Sequence, residues 1–190
     1  MDSKYSLVDP SGILSPSMLV FRELVDRNLH KMIAIAGDVN RLRPHCKTHK
    51  MPAVTKMELA MGITKHKCAT LAEAEMLADC GVKDIFLAYN LVGPNIDRAV
   101  KFLQKYPDVK FAVTADDSAM ISALSTAVSK AGKSIRVLLD IDPGLHRTGV
   151  LPGPRAEALY QQIVSSPGIE PGGFHLYDGH NHQTNLDERT

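Results

Sequence analysis

What most constrains this chain is an alternation: short, mostly apolar runs recur between amphipathic stretches of helical length. That pattern predicts repeated βα units and places the chain in the α/β class. Candidate strands fall at residues 42–49, 63–69, 84–89, 110–115, 134–142 and 173–179. The third to fifth are close to continuously apolar, as parallel strands covered on both faces are. Helix boundaries agree with this spacing. Thr70 and Glu73 form a capping box, a stripe runs through Ala74, Leu77 and Ala78, and Gly81 stands at the exit. Pro52, Pro94 and Pro154 suit first-turn positions, Gly62 and Gly132 suit helix exits, and Pro107 and Pro167 block continuation. Upstream, Val25, Leu29 and Ile33 share a helix face with Met32 and Ala36, closed by Gly37, and residues 17–21 read as an extra strand.

About six units are visible, whereas a closed (β/α)8 TIM-type barrel takes eight and roughly 250 residues. The expectation is a single domain, residues 1–190, forming a barrel cut short after about six strands. An open doubly wound sheet is the alternative, but no GxGxxG turn follows the first strand to support it. With 22 basic and 21 acidic residues and no long run of either sign, nucleic acid is not an expected partner. The start, MDSKYSLVDP, lacks an apolar signal segment, and no apolar run approaches the roughly 20 residues that cross a bilayer. A cytoplasmic protein with no membrane partner is expected. Cys46, Cys68 and Cys80 are irregularly spaced and fit reduced thiols better than a disulfide framework or a CxxC metal site.

In a βα barrel the chemistry sits at the C-terminal ends of the strands. Lys47, His49, Tyr89, Asp116, Asp142, His175 and Tyr177 all fall there. In the first candidate strand, period-two alternation puts Arg43, His45, Lys47 and His49 on one face and Pro44, Cys46 and Thr48 on the other. Cationic neighbours favour the neutral form of an amine, and the neutral amine is what condenses with an aldehyde.

The segment RLRPHCKTHK resembles the pyridoxal-lysine motif of the D-threonine aldolase and D-serine dehydratase family. Further stretches resemble that family in the same order: GITKHKCATLAEAEMLADCGVKDIFLAYNLVG, VLLDIDPGLHRTGV and GGFHLYDGHNH. The resemblance implies the pyridoxal-phosphate fold called type III, whose barrel is of the alanine racemase N-terminal type and precedes a β-rich domain. It implies that Lys47 carries pyridoxal phosphate and that Arg147, in the RTG element, approaches the cofactor ring. It further implies a lyase acting on D-configured β-hydroxy amino acids, either an aldolase or a dehydratase, working as a homodimer. A carrier of pyridoxal phosphate without turnover is the reading from another class.

His175 and Tyr177 alternate onto one strand face and are expected to line the cofactor pocket. His180 and His182 are candidates for proton transfer at the substrate hydroxyl. The spacing of these histidines fits neither an HxxxH pair nor a closed structural site, so no metal is expected here. The resemblance implies a divalent metal, manganese or zinc, held by residues near the family's far C-terminus, beyond this chain. Cys46 and Cys68 read as packing residues, and Lys65 and Lys67 find no role from sequence.

Overall fold

The structure, a computed structural model, describes residues 6–189. Five parallel strands lie in sequence order, β1 (Lys65–Cys68), β2 (Asp84–Asn90), β3 (Lys110–Ala115), β4 (Ile135–Ile141) and β5 (Ile169–Leu176). Between and before them run α1 (Arg22–Ala36), α2 (Pro52–Ala60), α3 (Leu71–Asp79), α4 (Pro94–Lys105), α5 (Ser118–Lys130) and α6 (Pro154–Ser165). Uniform parallel pairing in sequence order, with a helix at each crossover, makes this an arc of a βα barrel. Among the described residues no helix is long and apolar enough to cross a membrane.

The predicted punctuation holds where it is local. The Thr70 hydroxyl accepts the Glu73 N–H at 3.1 Å, and Pro52, Pro94 and Pro154 each open a helix. The core is a single layer between sheet and helices. Ile85, Leu87, Val113, Ile135 and Leu139 meet Leu77, Phe102, Ile121, Leu124 and Ile163 there, all essentially out of contact with water. Register places Lys67 beside Phe86, Phe86 beside Ala112, and Ala112 beside Arg136, so these four share one level of the sheet. That second face is the polar one. On it Arg43 pairs with Asp84 at 2.6 Å and Arg136 with Glu170 at 3.7 Å.

Two expectations are corrected. Residues 42–49 do not form a strand: only His45 bridges to Lys67, and Cys46–Thr48 turn into a 3-10 helix. Pro44 has no N–H for a ladder, and the His45 ring accepts the Lys47 N–H at 3.1 Å, so local bonding displaces the sheet after one residue pair. The visible count is therefore five strands and a bridge rather than six strands. Residues 17–21 pair with no strand, and Met18, Leu19 and Val20 stay exposed. The face expected for α1 is the inward one: Leu29 is buried, Val25, Met32, Ile33 and Ala36 are half-buried, and Gly37 closes the helix in the left-handed conformation.

The fifth strand starts earlier than expected, at Ile169, and contains Pro171. Proline is tolerated because, among the described residues, β5 has a sheet neighbour on one side only. Its pairing with β4 is interrupted: Val137 faces Pro171, but Leu139 faces Phe174 and Asp140 faces His175. One extra residue, at Gly172–Gly173, has entered β5, and Gly173 has φ +86°. Because side chains alternate, that insertion exchanges the faces of everything after it.

Candidate active site

Lys47 stands on the 3-10 turn just beyond the bridge to β1, at the C-terminal end of the sheet. Two anchors hold this turn. On one side His45 caps it through the Lys47 N–H. On the other, Lys50 has φ +50°, its N–H reaches the Cys46 carbonyl at 2.7 Å, and its ammonium meets Glu73 at 2.8 Å. Glu73 is buried and also accepts the Ala69 N–H at 2.7 Å, which fastens the turn to the start of α3. The His45 imidazole is pushed down to about 4 by burial and then by Lys47 and Lys67, so it is neutral at pH 7 and free to accept. Burial, followed by the neighbouring Glu73 charge, pushes the Cys46 thiol up to about 12. Cys46 and Cys68 are core residues, not nucleophiles.

The Lys47 ammonium lies 5.8 Å from the centre of the Tyr177 ring, and the Arg147 guanidinium lies 4.6 Å from the same ring. Tyr177 follows β5 directly, so a residue from the beginning of the sheet and one from the β4 loop meet at its other end. Arg147 gets there because the loop of residues 142–149 is tightly folded. Asp142 accepts the Gly144 and His146 N–H groups and the His146 ring, each at 2.9 Å. Arg147 is thus not the partner of Asp142; His146 is, at a backbone φ of +56°. The His146 N–H bond and the others hold the Asp142 carboxyl below its usual range against burial. The loop closes on Gly149, whose N–H reaches Asp116 at 2.9 Å and where a Cβ would lie 2.7 Å from the Asp142 nitrogen.

Beneath this cluster lies a chain of groups. Asp140 Oδ1 stands 2.7 Å from His175 Nδ1, and His175 Nε2 stands 3.1 Å from Lys67 Nζ. Phe86 covers the lysine at 5.6 Å and meets the His175 ring edge-on at 5.3 Å. Lys67 is pulled below its ordinary value by burial first, then by Lys47.

Of the residues expected from sequence, Lys47, Arg147, His175 and Tyr177 come together. His180 packs instead near the Gly144 turn, with its Nδ1 buried and unpartnered, and His182 is exposed with no contact to the cluster among the described residues. His49 turns away to accept the Met51 N–H, and Tyr89 is exposed elsewhere on the rim. Sequence reading missed Lys67, Asp140 and Phe86. The signal for Lys67 was present, since KHKC alternates half-buried and buried positions, with His66 and Cys68 in the core and the lysines on the opposite face.

The site was tested against the two groups that the resemblance implies. Pyridoxal phosphate needs an amine free to bond to its aldehyde and a cation beside its ring. Lys47 has no ion pair among the described residues, and Arg147 lies across the same tyrosine, so these residues fit. A metal fits poorly. The ligand atoms of His45, Cys46 and Glu73 lie within 4.8 Å of one another, but Lys50 already neutralises Glu73 and Lys47 and Lys67 bear on His45. A dication would enter a field already positive.

The alanine racemase N-terminal domain family matches residues 22–189. D-threonine aldolase of an Arthrobacter species is 33% identical over 87% of this chain and 43% of its own length. Among solved structures, D-threonine aldolase from Filomicrobium marinum superposes with a TM-score of 0.82 at 32% identity, covering 93% of this chain and 48% of that one. D-threo-3-hydroxyaspartate dehydratase from Delftia sp. HT23 gives a TM-score of 0.73 at 27% identity, covering 88% of this chain and 44% of that one. The chain thus spans less than half the length of these relatives.

Proposed function

The chain belongs to the alanine racemase N-terminal domain family, and from that premise we propose that it holds pyridoxal phosphate through Lys47 as the cofactor-binding barrel of a lyase for D-configured β-hydroxy amino acids. Cleavage of the Cα–Cβ bond, as by a D-threonine aldolase, is the activity the likenesses favour. The observation that carries this reading is the convergence of Lys47 and Arg147 on Tyr177 at the C-terminal end of the sheet.

When bound, the cofactor supplies an electron sink for the pair left at the substrate α-carbon. This chain's residues do the rest. Lys47 offers the amine that bonds to the aldehyde, and His45, Lys50 and Glu73 fix the backbone turn from which its side chain extends. Arg147 brings a permanent positive charge to the site and would stabilise negative charge on the cofactor ring. Tyr177 brings the two cations to one ring, an aromatic partner for each. His175 stands two residues before Tyr177 and lines the floor. The divalent metal that the resemblance implies is not assigned to any of the described residues.

Supplying D-threonine with pyridoxal phosphate and added manganese tests this reading. Glycine and acetaldehyde are expected. The dehydratase likeness supports a second outcome, 2-oxobutanoate and ammonia, which would overturn the aldolase activity but keep the lyase. Silence in both assays, with the cofactor still on Lys47, would leave a carrier.

A further inference from the structure

We infer that Lys67 is the proton-exchanging residue of this site, held in place by Asp140 and His175 as positioning residues. Beyond the reading above, this assigns a catalytic group; the reaction step rests on that reading, whereas the proton exchange does not.

Hydrogen-bond directions fix the arrangement. Asp140 is buried at the end of β4 and its carboxylate can only accept, so His175 Nδ1 carries the proton of their 2.7 Å contact. His175 Nε2 is then a bare acceptor, and at 3.1 Å it must take a proton from Lys67. Asp140 therefore sets the histidine tautomer, and the histidine aims the amine. A lysine donates to Nε2 equally as ammonium or as neutral amine, so the contact survives loss of a proton. The arrangement thus suits a group that gives and takes one, which a salt-bridged lysine does not.

Its surroundings favour that exchange by weakening the amine's hold on its proton. The amine lies on the Phe86 face, half-buried. The charges that bear on it are Lys47 on the 3-10 turn, Arg147 on the β4 loop, Arg43 ahead of the bridge and Asp140 on β4. His45, across the bridge, and His175, on β5, are the titratable rings beside it. Three cations against one buried carboxylate, together with partial burial, favour the neutral amine. Of the histidines expected to move a proton, His180 packs by the Gly144 turn and His182 is exposed, and neither has a hydrogen bond to Lys67, His175 or Asp140 among the described residues.

In the cleavage reaction, the neutral Lys67 amine takes the proton of the substrate hydroxyl. The oxygen's electron pair forms the aldehyde C=O as the Cα–Cβ bond breaks, and the pair of that bond is left at Cα, for which a bound cofactor would supply the electron sink. The Lys67 ammonium then returns the proton to Cα, giving glycine and restoring the amine.

Two experiments test this. In the first, NMR of Cε-labelled lysines follows the titration of the protein without cofactor, with Lys67→Arg identifying the resonance. Lys67 should titrate below the other lysines, and Asp140→Asn, which removes the one negative charge beside it, should lower it further. Titration of Lys67 together with the surface lysines, unmoved by Asp140→Asn, overturns the inference even if no substrate is ever found.

In the second, steady-state kinetics are measured on the cofactor-loaded protein. Lys67→Met should lower kcat by about 10²–10⁴-fold while KM stays within about threefold and borohydride still traps the cofactor on Lys47. Lys67→Arg keeps the bond to His175 but cannot release a proton, so it should not rescue turnover, and it serves if the methionine variant does not fold. Rescue by arginine, or full turnover without Lys67, shows a structural role and overturns the inference. Failure of the wild type to cleave any D-β-hydroxy amino acid overturns the proposed activity, and the titration then decides Lys67.

Discussion

Lys47 and Arg147 reach the same tyrosine by opposite means, one on a turn pinned by buried groups and the other on a loop folded around a single carboxylate. For Arg147, removing the guanidinium should leave the sheet untouched, because the residue is exposed. Arg147→Ala should therefore shift the absorption of bound cofactor and weaken its binding, by about 1.5–3 kcal/mol for one lost charged contact, while the melting temperature stays put. Equal spectra and equal affinity by titration would return Arg147 to a surface role. For Asp142, pH is the probe. Its carboxyl lies below the ordinary 3.8 in the folded chain, so the stabilisation is complete above that value and fades as pH falls through the lower folded one. Acidification should release residues 142–149 to limited proteolysis at a pH that Asp142→Asn abolishes as a transition, since that variant's loop is cleavable at every pH. The sequence made these residues legible through a specific motif, but not their partners. It could not show that His146 satisfies Asp142, because a left-handed histidine has no sequence signature.

Secondary-structure elements were most readable where their chemistry is local. The capping box at Thr70, the three first-turn prolines and the continuously apolar β3 and β4 all emerge from neighbours in sequence. The failures are long-range. Whether residues 42–49 join a sheet depends on competition between the ladder and the His45 cap, which alternation cannot weigh. The bulge in β5 is the other case, and it decides the site. Continued regular pairing from Val137–Pro171 would set Phe174, not His175, beside Asp140. The inserted residue sends Phe174 to stack on Tyr160 of α6 at 4.8 Å and turns His175 toward Lys67. Gly173→Val places a β-branched residue at φ +86°, at a cost of about 1–3 kcal/mol. Denaturant unfolding should show that loss, and the His175 ring nitrogens should lose their fixed tautomer by 15N NMR. A variant as stable as wild type with an unchanged histidine spectrum would mean that the bulge does not position the ring.

Across the whole molecule, apolar residues gather in one layer between the sheet and the helices, while the second sheet face carries paired ions at one end and the Lys67–His175–Asp140 chain at the other. Charged side chains on that inner face require partners, and Lys47 and Arg147, which have no ion pair among the described residues, stand at the C-terminal end. This polarity is what parallel βα architecture predicts, so the place of the chemistry was legible once the fold class was. The central claim is that Lys47 is the residue that bonds to the cofactor. Incubation with pyridoxal phosphate, borohydride reduction and peptide mapping tests it most directly. A single phosphopyridoxyl group is expected on Lys47, absent from Lys47→Ala; label on Lys50, Lys56 or Lys67 with Lys47 unmodified would overturn the assignment.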